Sequence, residues 1–241
     1  MIDVLARVPL APILAAQAVW VRTIADFLPE PPGDRSGVVG QGPDLRMLIF
    51  GDSSAAGVGA PHQNDALCGR LAAKLGSHVR LDFTLEAKTG RTTQDALKIL
   101  QAMPDRPFDL ALVVLGVNDV TRATPVSTWV RQRRRLHDAL REQFGVRCIV
   151  ATGLPPMGQF PLLPNPLRWI LGQQAQRFDA ALAQICTENV MHAPLPAAFD
   201  PVLVASDGYH PNAQAYQIWA DGLAAAILAL PGFSNHLHTA T

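Results

Sequence analysis

The chain has 241 residues, and its 20 Lys and Arg balance its 20 Asp and Glu to a formal net charge of zero. That balance excludes nucleic acid as the main partner, because phosphate binding needs a basic footprint, and it leaves self-association open, because little charge repels one copy from another. With 49% hydrophobic and 17% charged residues, a single domain with a sizeable core is expected.

From Val8 to Val21 the chain is mostly apolar, and Ala16-Gln17-Ala18 resembles a signal-peptidase site. Against that reading, Asp3 offsets Arg7, Pro9 and Pro12 interrupt the run, and the run is short for a membrane span. The spacing predicts a helix from Pro12 to Leu28, with Trp20, Ile24, Phe27 and Leu28 on one apolar stripe. That stripe packs on the domain or, as the alternative, lies on a membrane surface. Pro29, Pro31, Pro32 and Pro43, interspersed with Gly33, Gly37, Gly40 and Gly42, mark residues 29–44 as a linker or wrapping segment. The expected division is residues 1–44 as helix and wrapping segment, and 45–241 as the main domain.

From Leu45 onward, strand and helix patterns alternate. Strands are expected at Arg46–Phe50, Val79–Leu85, Phe108–Leu115, Val146–Ala151 and Val190–Ala193. Helices are expected at Asn64–Gly76, Thr92–Met103, Thr124–Phe144, Pro166–Asn189 and Asn212–Leu230. This alternation predicts an α/β fold, a central parallel sheet of about five strands with helices on both faces.

Four stretches carry candidate chemistry. Met47 to Phe50 reads as a buried strand that stops at Gly51 and runs into a turn with Asp52, Ser53 and Ser54. A strand ending this way delivers its next side chain to the carboxyl edge of the sheet, where open α/β sheets keep their sites. Ser53 then stands at a fixed point, as a nucleophile must. The stretch lacks the Gly-Lys-Ser/Thr of a phosphate loop and the G-x-G-x-x-G spacing, since its glycines fall at 51, 57 and 59. After the second strand, Gly90 stands where a backbone N–H can meet a bound oxygen, or is a plain turn glycine. After the third, Asn118 is placed to donate its amide, or forms an ordinary turn with Asp119. Near the C-terminus, Asp207 and His210 stand three apart in a Gly- and Pro-punctuated turn. They form either a carboxylate–imidazole unit able to take a serine proton or a helix cap beside a surface histidine.

The order Gly-Asp-Ser, Gly, Gly-x-Asn-Asp, Asp-x-x-His resembles the SGNH (GDSL) hydrolase family over residues 45–230. The resemblance implies a three-layer, flavodoxin-like α/β/α sandwich and a serine esterase. It implies Ser53 as nucleophile, His210 as general base and acid, and Asp207 as its orienting partner. It implies an oxyanion hole from the N–H of Ser53, the N–H of Gly90 and the amide of Asn118, with no metal or cofactor. The family's usual Gly-Asp-Ser-Leu reads Gly-Asp-Ser-Ser here, a change at a residue that carries no proton. The expected substrate is a small-molecule carboxylic ester, acyl or lipid-like. The alternatives are an acyltransferase or thioesterase on the same residues, a non-catalytic ligand-binding module, and, more remotely, a nucleotide-binding flavodoxin-like protein.

The loop 153–164 follows the fourth strand, and its Met157, Phe160 and Leu162 are candidates for the wall of an acyl pocket or for surface packing. The basic cluster Arg131, Arg133, Arg134 and Arg135 is expected on a solvated helix face. His62, His78, His137 and His192 read as structural or exposed, and His236 and His238 as part of a loose tail. Cys68, Cys148 and Cys186 show neither disulfide nor zinc spacing and read as free thiols. That suggests the cytoplasm, with a periplasmic or membrane-associated location as the alternative.

Overall fold

A computed structural model describes residues 2–195 and 200–230. His236 and His238 lie outside the described residues. The chain opens with α1 (Ile2–Ile24), then β1 (Ser36–Val39) and β2 (Asp44–Gly51). The short α2 (Ser53–Ala56), α3 (Leu67–Gly76), β3 (Arg80–Ala87), α4 (Thr93–Ala102) and β4 (Leu110–Val114) follow. Then come α5 (Val117–Thr121), α6 (Val126–Phe144), β5 (Cys148–Thr152), α7 (Leu167–Ile185), β6 (Val190–Ala193) and α8 (Ala213–Leu228).

The strands form one sheet in the order β1-β3-β2-β4-β5-β6. The five strands from β2 onward are parallel, and their order is the flavodoxin-like 2-1-3-4-5. The sixth, β1, pairs antiparallel with β3 from Ser36↔Thr84 to Val39↔Leu81. It lies in the stretch expected to be a linker or wrapping segment, where no strand was expected. Its four residues sit among glycines and prolines and alternate only between exposed and half-buried, so no apolar run announces it.

Period-2 alternation sends β2 side chains to both faces. Met47 and Ile49 join Leu71 and Leu75 of α3 and Tyr216, Leu223 and Ile227 of α8 in one buried cluster. Leu48 and Phe50 join Leu100 of α4, Trp129 and Leu136 of α6 and Phe178 of α7 in the other. These clusters make the three layers.

Helix ends follow local chemistry. Thr92 caps α4 in a reciprocal box with Asp95, and Asn212 caps α8 by accepting from the N–H of Ala215. Two readings need correction. The first helix spans Ile2–Ile24 and carries Pro9 and Pro12 inside it. Of the expected stripe, Trp20, Ile24 and Phe27 are exposed, at 50%, 43% and 90%, Leu28 is half-buried, and Phe27 and Leu28 lie beyond the helix end. Arg133 is fully buried while Arg131, Arg134 and Arg135 are exposed. The phase of α6 puts residue 133 on the inward stripe with Trp129, Leu136 and Leu140.

Candidate active site

The reversal of strand order between β2 and β4 opens a crevice at the carboxyl ends of these strands. Gly51 ends β2 there. A Cβ on it would meet the Ala55 Cβ at 2.4 Å and the Val114 carbonyl oxygen at 2.6 Å, so the close turn requires glycine. The Asp52 N–H donates to that same Val114 oxygen at 3.0 Å. Asp52 then caps α2 by accepting from the Ser54 N–H at 3.1 Å, and Ser53 begins the helix. Its N–H lies in the first turn, where intrahelical acceptors are lacking.

The loop before α8 supplies the facing group. Asp207 is buried, and one carboxylate oxygen accepts from the backbone N–H groups of Tyr209 and His210, at 3.2 and 3.0 Å. This turn leaves its other oxygen to bind His210 Nδ1. His210 Nε2 lies 2.8 Å from Ser53 Oγ. Three residues spanning 53 to 210 in the chain thus make one continuous hydrogen-bonded line. Burial alone would raise the Asp207 carboxyl, but the bonds from His210 and Tyr209 outweigh it and hold it below the ordinary carboxylate range.

Asn118 lies in α5, not in a turn. Its amide donates to the Arg91 carbonyl at 3.1 Å and to Asp52 Oδ2 at 3.3 Å. Gly90 precedes Arg91 with φ of +81°, a left-handed conformation suited to glycine, and a Cβ there would meet open space. The turn is braced from the N-terminal segment, since Glu30 accepts from both the N–H and the hydroxyl of Thr89. Ser53, Gly90, Asn118, Asp207 and His210 therefore gather at one edge of the sheet.

Beside them is a largely apolar cavity of about 540 Å³, within the range of small-molecule sites. Ser53 and His210 stand in its wall, with Phe160, Leu154, Pro155 and the α8 residues Ile218 and Trp219. Of the three loop candidates, Phe160 lines this cavity. Met157 is buried in the core, and Leu162 packs under Gly208. The contribution of α8 was not expected. Ala215, Ile218, Trp219, Gly222 and Ala226 repeat at helical spacing, a signal visible in the sequence but indistinguishable there from a packing stripe.

Two supporting groups also escaped sequence reading. Asp119 accepts from the N–H and hydroxyl of Thr93, whose hydroxyl oxygen accepts from the Trp129 indole at 3.0 Å. This chain ties α5, which carries Asn118, to α4 and α6. Asp52 is pushed up to about 7, chiefly by burial, although the Ser54 N–H and the charge of His210 pull it down. A raised carboxyl binds a proton in the folded state that the unfolded chain has already lost. The stability that Asp52 contributes should therefore fall as pH rises from about 4 to about 7. Urea midpoints of wild type and Asp52→Asn compared across that window isolate this group, and the stability of wild type relative to Asp52→Asn should decline from about pH 4 to about pH 7.

The remaining histidines and thiols have structural settings. His62 caps a short turn by accepting from the Asn64 N–H, and His78 is exposed. His192 pairs with Asp179 at 3.0 Å, and His137 is buried. The three cysteines are free, and burial pushes the Cys68 thiol up to about 12, far from a reactive thiolate. Among the described residues no group of three or more His, Cys, Asp or Glu is arranged to hold a metal ion.

Comparison with known proteins gives the family and matches the fold. Residues 49–218 match the model of the GDSL-like lipase/acylhydrolase family. A GDSL-like esterase of Mycobacterium tuberculosis is 27% identical, over 89% of this chain and 76% of the relative. Among solved structures, a lipase from a goat rumen metagenome superposes with a TM-score of 0.64 at 18% identity, covering 76% of this chain and 97% of that one. An aryl esterase of M. smegmatis does so with a TM-score of 0.60 at 17% identity, covering 77% and 99%.

Proposed function

We infer the mechanism from one premise: this chain belongs to the GDSL-like lipase/acylhydrolase family and is a carboxylic ester hydrolase. In the proposed reaction Ser53 Oγ attacks the ester carbonyl carbon while His210 Nε2 takes its proton. Asp207 keeps the imidazole in the tautomer with the proton on Nδ1 and stabilises the imidazolium that forms. Negative charge develops on the former carbonyl oxygen. The N–H of Ser53, the N–H of Gly90 and the Asn118 amide are its proposed donors. One such donor is worth about 10²–10³ in turnover. The Asn118 bond to Asp52, at 3.3 Å, is long for an N–H donor and is the one shared with the oxyanion. His210 then protonates the leaving alcohol, giving an acyl-enzyme on Ser53. Water, deprotonated by the same histidine, attacks that acyl group and releases the acid.

The observation that supports this reading is the unbroken Asp207–His210–Ser53 hydrogen-bonded line opening on an apolar cavity. The cavity wall gives the acyl chain its place. From Ala215 to Ala226, 11 steps along α8 at a rise of about 1.5 Å each span about 16 Å of wall. The substrates proposed are therefore acyl esters whose chain lies along α8.

A series of p-nitrophenyl esters from acetate to palmitate tests this. Turnover with kcat/KM rising beyond acetate is expected, because each added methylene buries apolar surface. Silence on every ester would overturn the reading. Transfer of the acyl group to an added alcohol in place of water would identify an acyltransferase on the same residues.

A further inference from the structure

The helix α1 is built inside out. Its residues nearest the body are Asp3, Arg7, Leu10, Leu14, Gln17 and Val21, spaced alternately four and three apart. This is the narrow seam of a coiled coil, and it is laid against α7 and the loop before it. Three of the six seam residues are polar. Arg177 grips both carboxylate oxygens of Asp3, at 2.9 and 2.6 Å. Arg7 donates to Gln174 at 2.6 Å. Gln17 donates to the Asn165 carbonyl and accepts from the Leu167 N–H, at 2.7 and 3.0 Å.

Every polar side chain between residues 3 and 20 thus faces inward, and the outward surface carries the apolar ones. Val4, Leu5, Val8, Ile13, Val19 and Trp20 are 48–81% exposed, joined by exposed Ala11, Ala15, Ala16 and Ala18. No charge stands on this outer surface until Arg22, two residues after Trp20. A soluble helix shows the reverse pattern. Exposed apolar surface of this extent marks an interaction site.

We propose that α1 seats the protein on a lipid bilayer, lying along the interface plane with its outer surface among the acyl chains. Two features favour lipid over a second copy of the chain. The apolar residues cover every side that α7 leaves free, which a surrounding lipid phase covers and one docked helix, touching a single stripe, does not. The face is also uncharged and ends at Trp20 and Arg22, the pairing of aromatic and basic side chains found at the membrane–water boundary. Lying along the surface follows from the seam. A helix crossing the bilayer would have to break the Asp3–Arg177 and Gln17–Asn165 contacts, which span its length. Gln17 binds the start of α7, directly after the loop leaving the carboxyl end of β5, so the C-terminal part of α1 lies toward the edge that bears Ser53. An ester dissolved in the bilayer would then have a short path to the site. The proposal needs no turnover and stands apart from the catalytic reading.

Flotation of the full chain with extruded vesicles tests it, using phosphatidylcholine alone and phosphatidylcholine mixed with phosphatidylglycerol. The full chain should float with both, with little dependence on salt because the face is uncharged. The double variant Val8→Glu/Val19→Glu should lose at least about tenfold in partition while keeping its circular dichroism and melting profile, since both side chains are exposed. In the wild type, brominated lipid should quench tryptophan emission, and Trp20→Phe should remove most of that quenching. Failure to float at any lipid concentration would overturn the proposal. So would a dimer by light scattering that the double variant dissolves, or isolation of the active protein from its own cells with α1 removed.

Discussion

Ser53→Ala and His210→Ala are each expected to lower kcat for p-nitrophenyl esters by about 10⁴-fold or more, and the double variant by no more than either alone. The reason is the single hydrogen-bonded line in which Nε2 of His210 meets Oγ of Ser53 at 2.8 Å. A serine hydroxyl is a weak nucleophile at neutral pH without a base to take its proton, and the base has nothing to activate once the hydroxyl is gone. Groups that act as one unit give grossly non-additive losses. Residual catalysis should persist in all three variants, because the proposed oxyanion donors, the backbone N–H groups of residues 53 and 90 and the Asn118 amide, remain. The check is steady-state kinetics on folded protein, confirmed by circular dichroism. Losses that multiply in the double variant would show that the two residues act independently.

Trp129→Ala is expected to cost about 3–5 kcal/mol of stability, the range for a large aromatic truncated in a packed core. Trp129 is completely buried and stacks on Phe178 of α7, with ring centroids 4.3 Å apart. The Arg133 guanidinium lies 5.7 Å from its ring centroid. Its indole N–H donates to Thr93, whose hydroxyl donates to Asp119. Truncation therefore opens a void between α6 and α7 and releases one end of the chain that supports α5. Activity in the folded fraction should fall as well, because Thr93, which holds Asp119 beside Asn118, loses its bond to α6. Trp129→Phe should recover most of the packing and leave a smaller loss of about 1–3 kcal/mol from the unmet hydrogen bond. Urea denaturation of the three proteins decides this, and an alanine variant within about 1 kcal/mol of wild type would contradict it.

Much of this fold is legible in the sequence because buried parallel strands announce themselves. The stretch 110–114 is uninterrupted apolar residues, buried throughout, and Val190–Ala193 is a strand with the same limits that the pattern gives. The edge strand β1 escapes because it borders one strand only and buries little, so Ser36-Gly37-Val38-Val39 needs no apolar run. The helix α1 starts about ten residues earlier than expected. Its two prolines are exposed and are tolerated within a helix held along its length by polar contacts, whereas sequence rules treat proline as a boundary.

The site divides in the same way. Ser53, Gly90 and Asn118 each follow a strand, so the parallel sheet brings them to one edge without long-range knowledge. The pairing of Asp207 with His210 is local, an Asx turn readable from a spacing of three. The links between elements are not readable. Asn118 meets Asp52 across 66 positions, and Phe160 meets α8 across a cavity that neither segment encloses alone. Arg133 is hidden for a related reason, because a run of arginines reads as a solvated face unless the phase of α6 is known.

The most direct test of the account is the fate of an ester-mimicking phosphonate that leaves a stable adduct on an activated serine. Incubation with an alkyl p-nitrophenyl phosphonate should add one phosphonyl group per chain by intact mass. Peptide mapping should place that group on Ser53, and His210→Ala should label far more slowly. An adduct on any other residue, or undiminished labelling of Ser53→Ala, would contradict the assignment of Ser53 as the nucleophile.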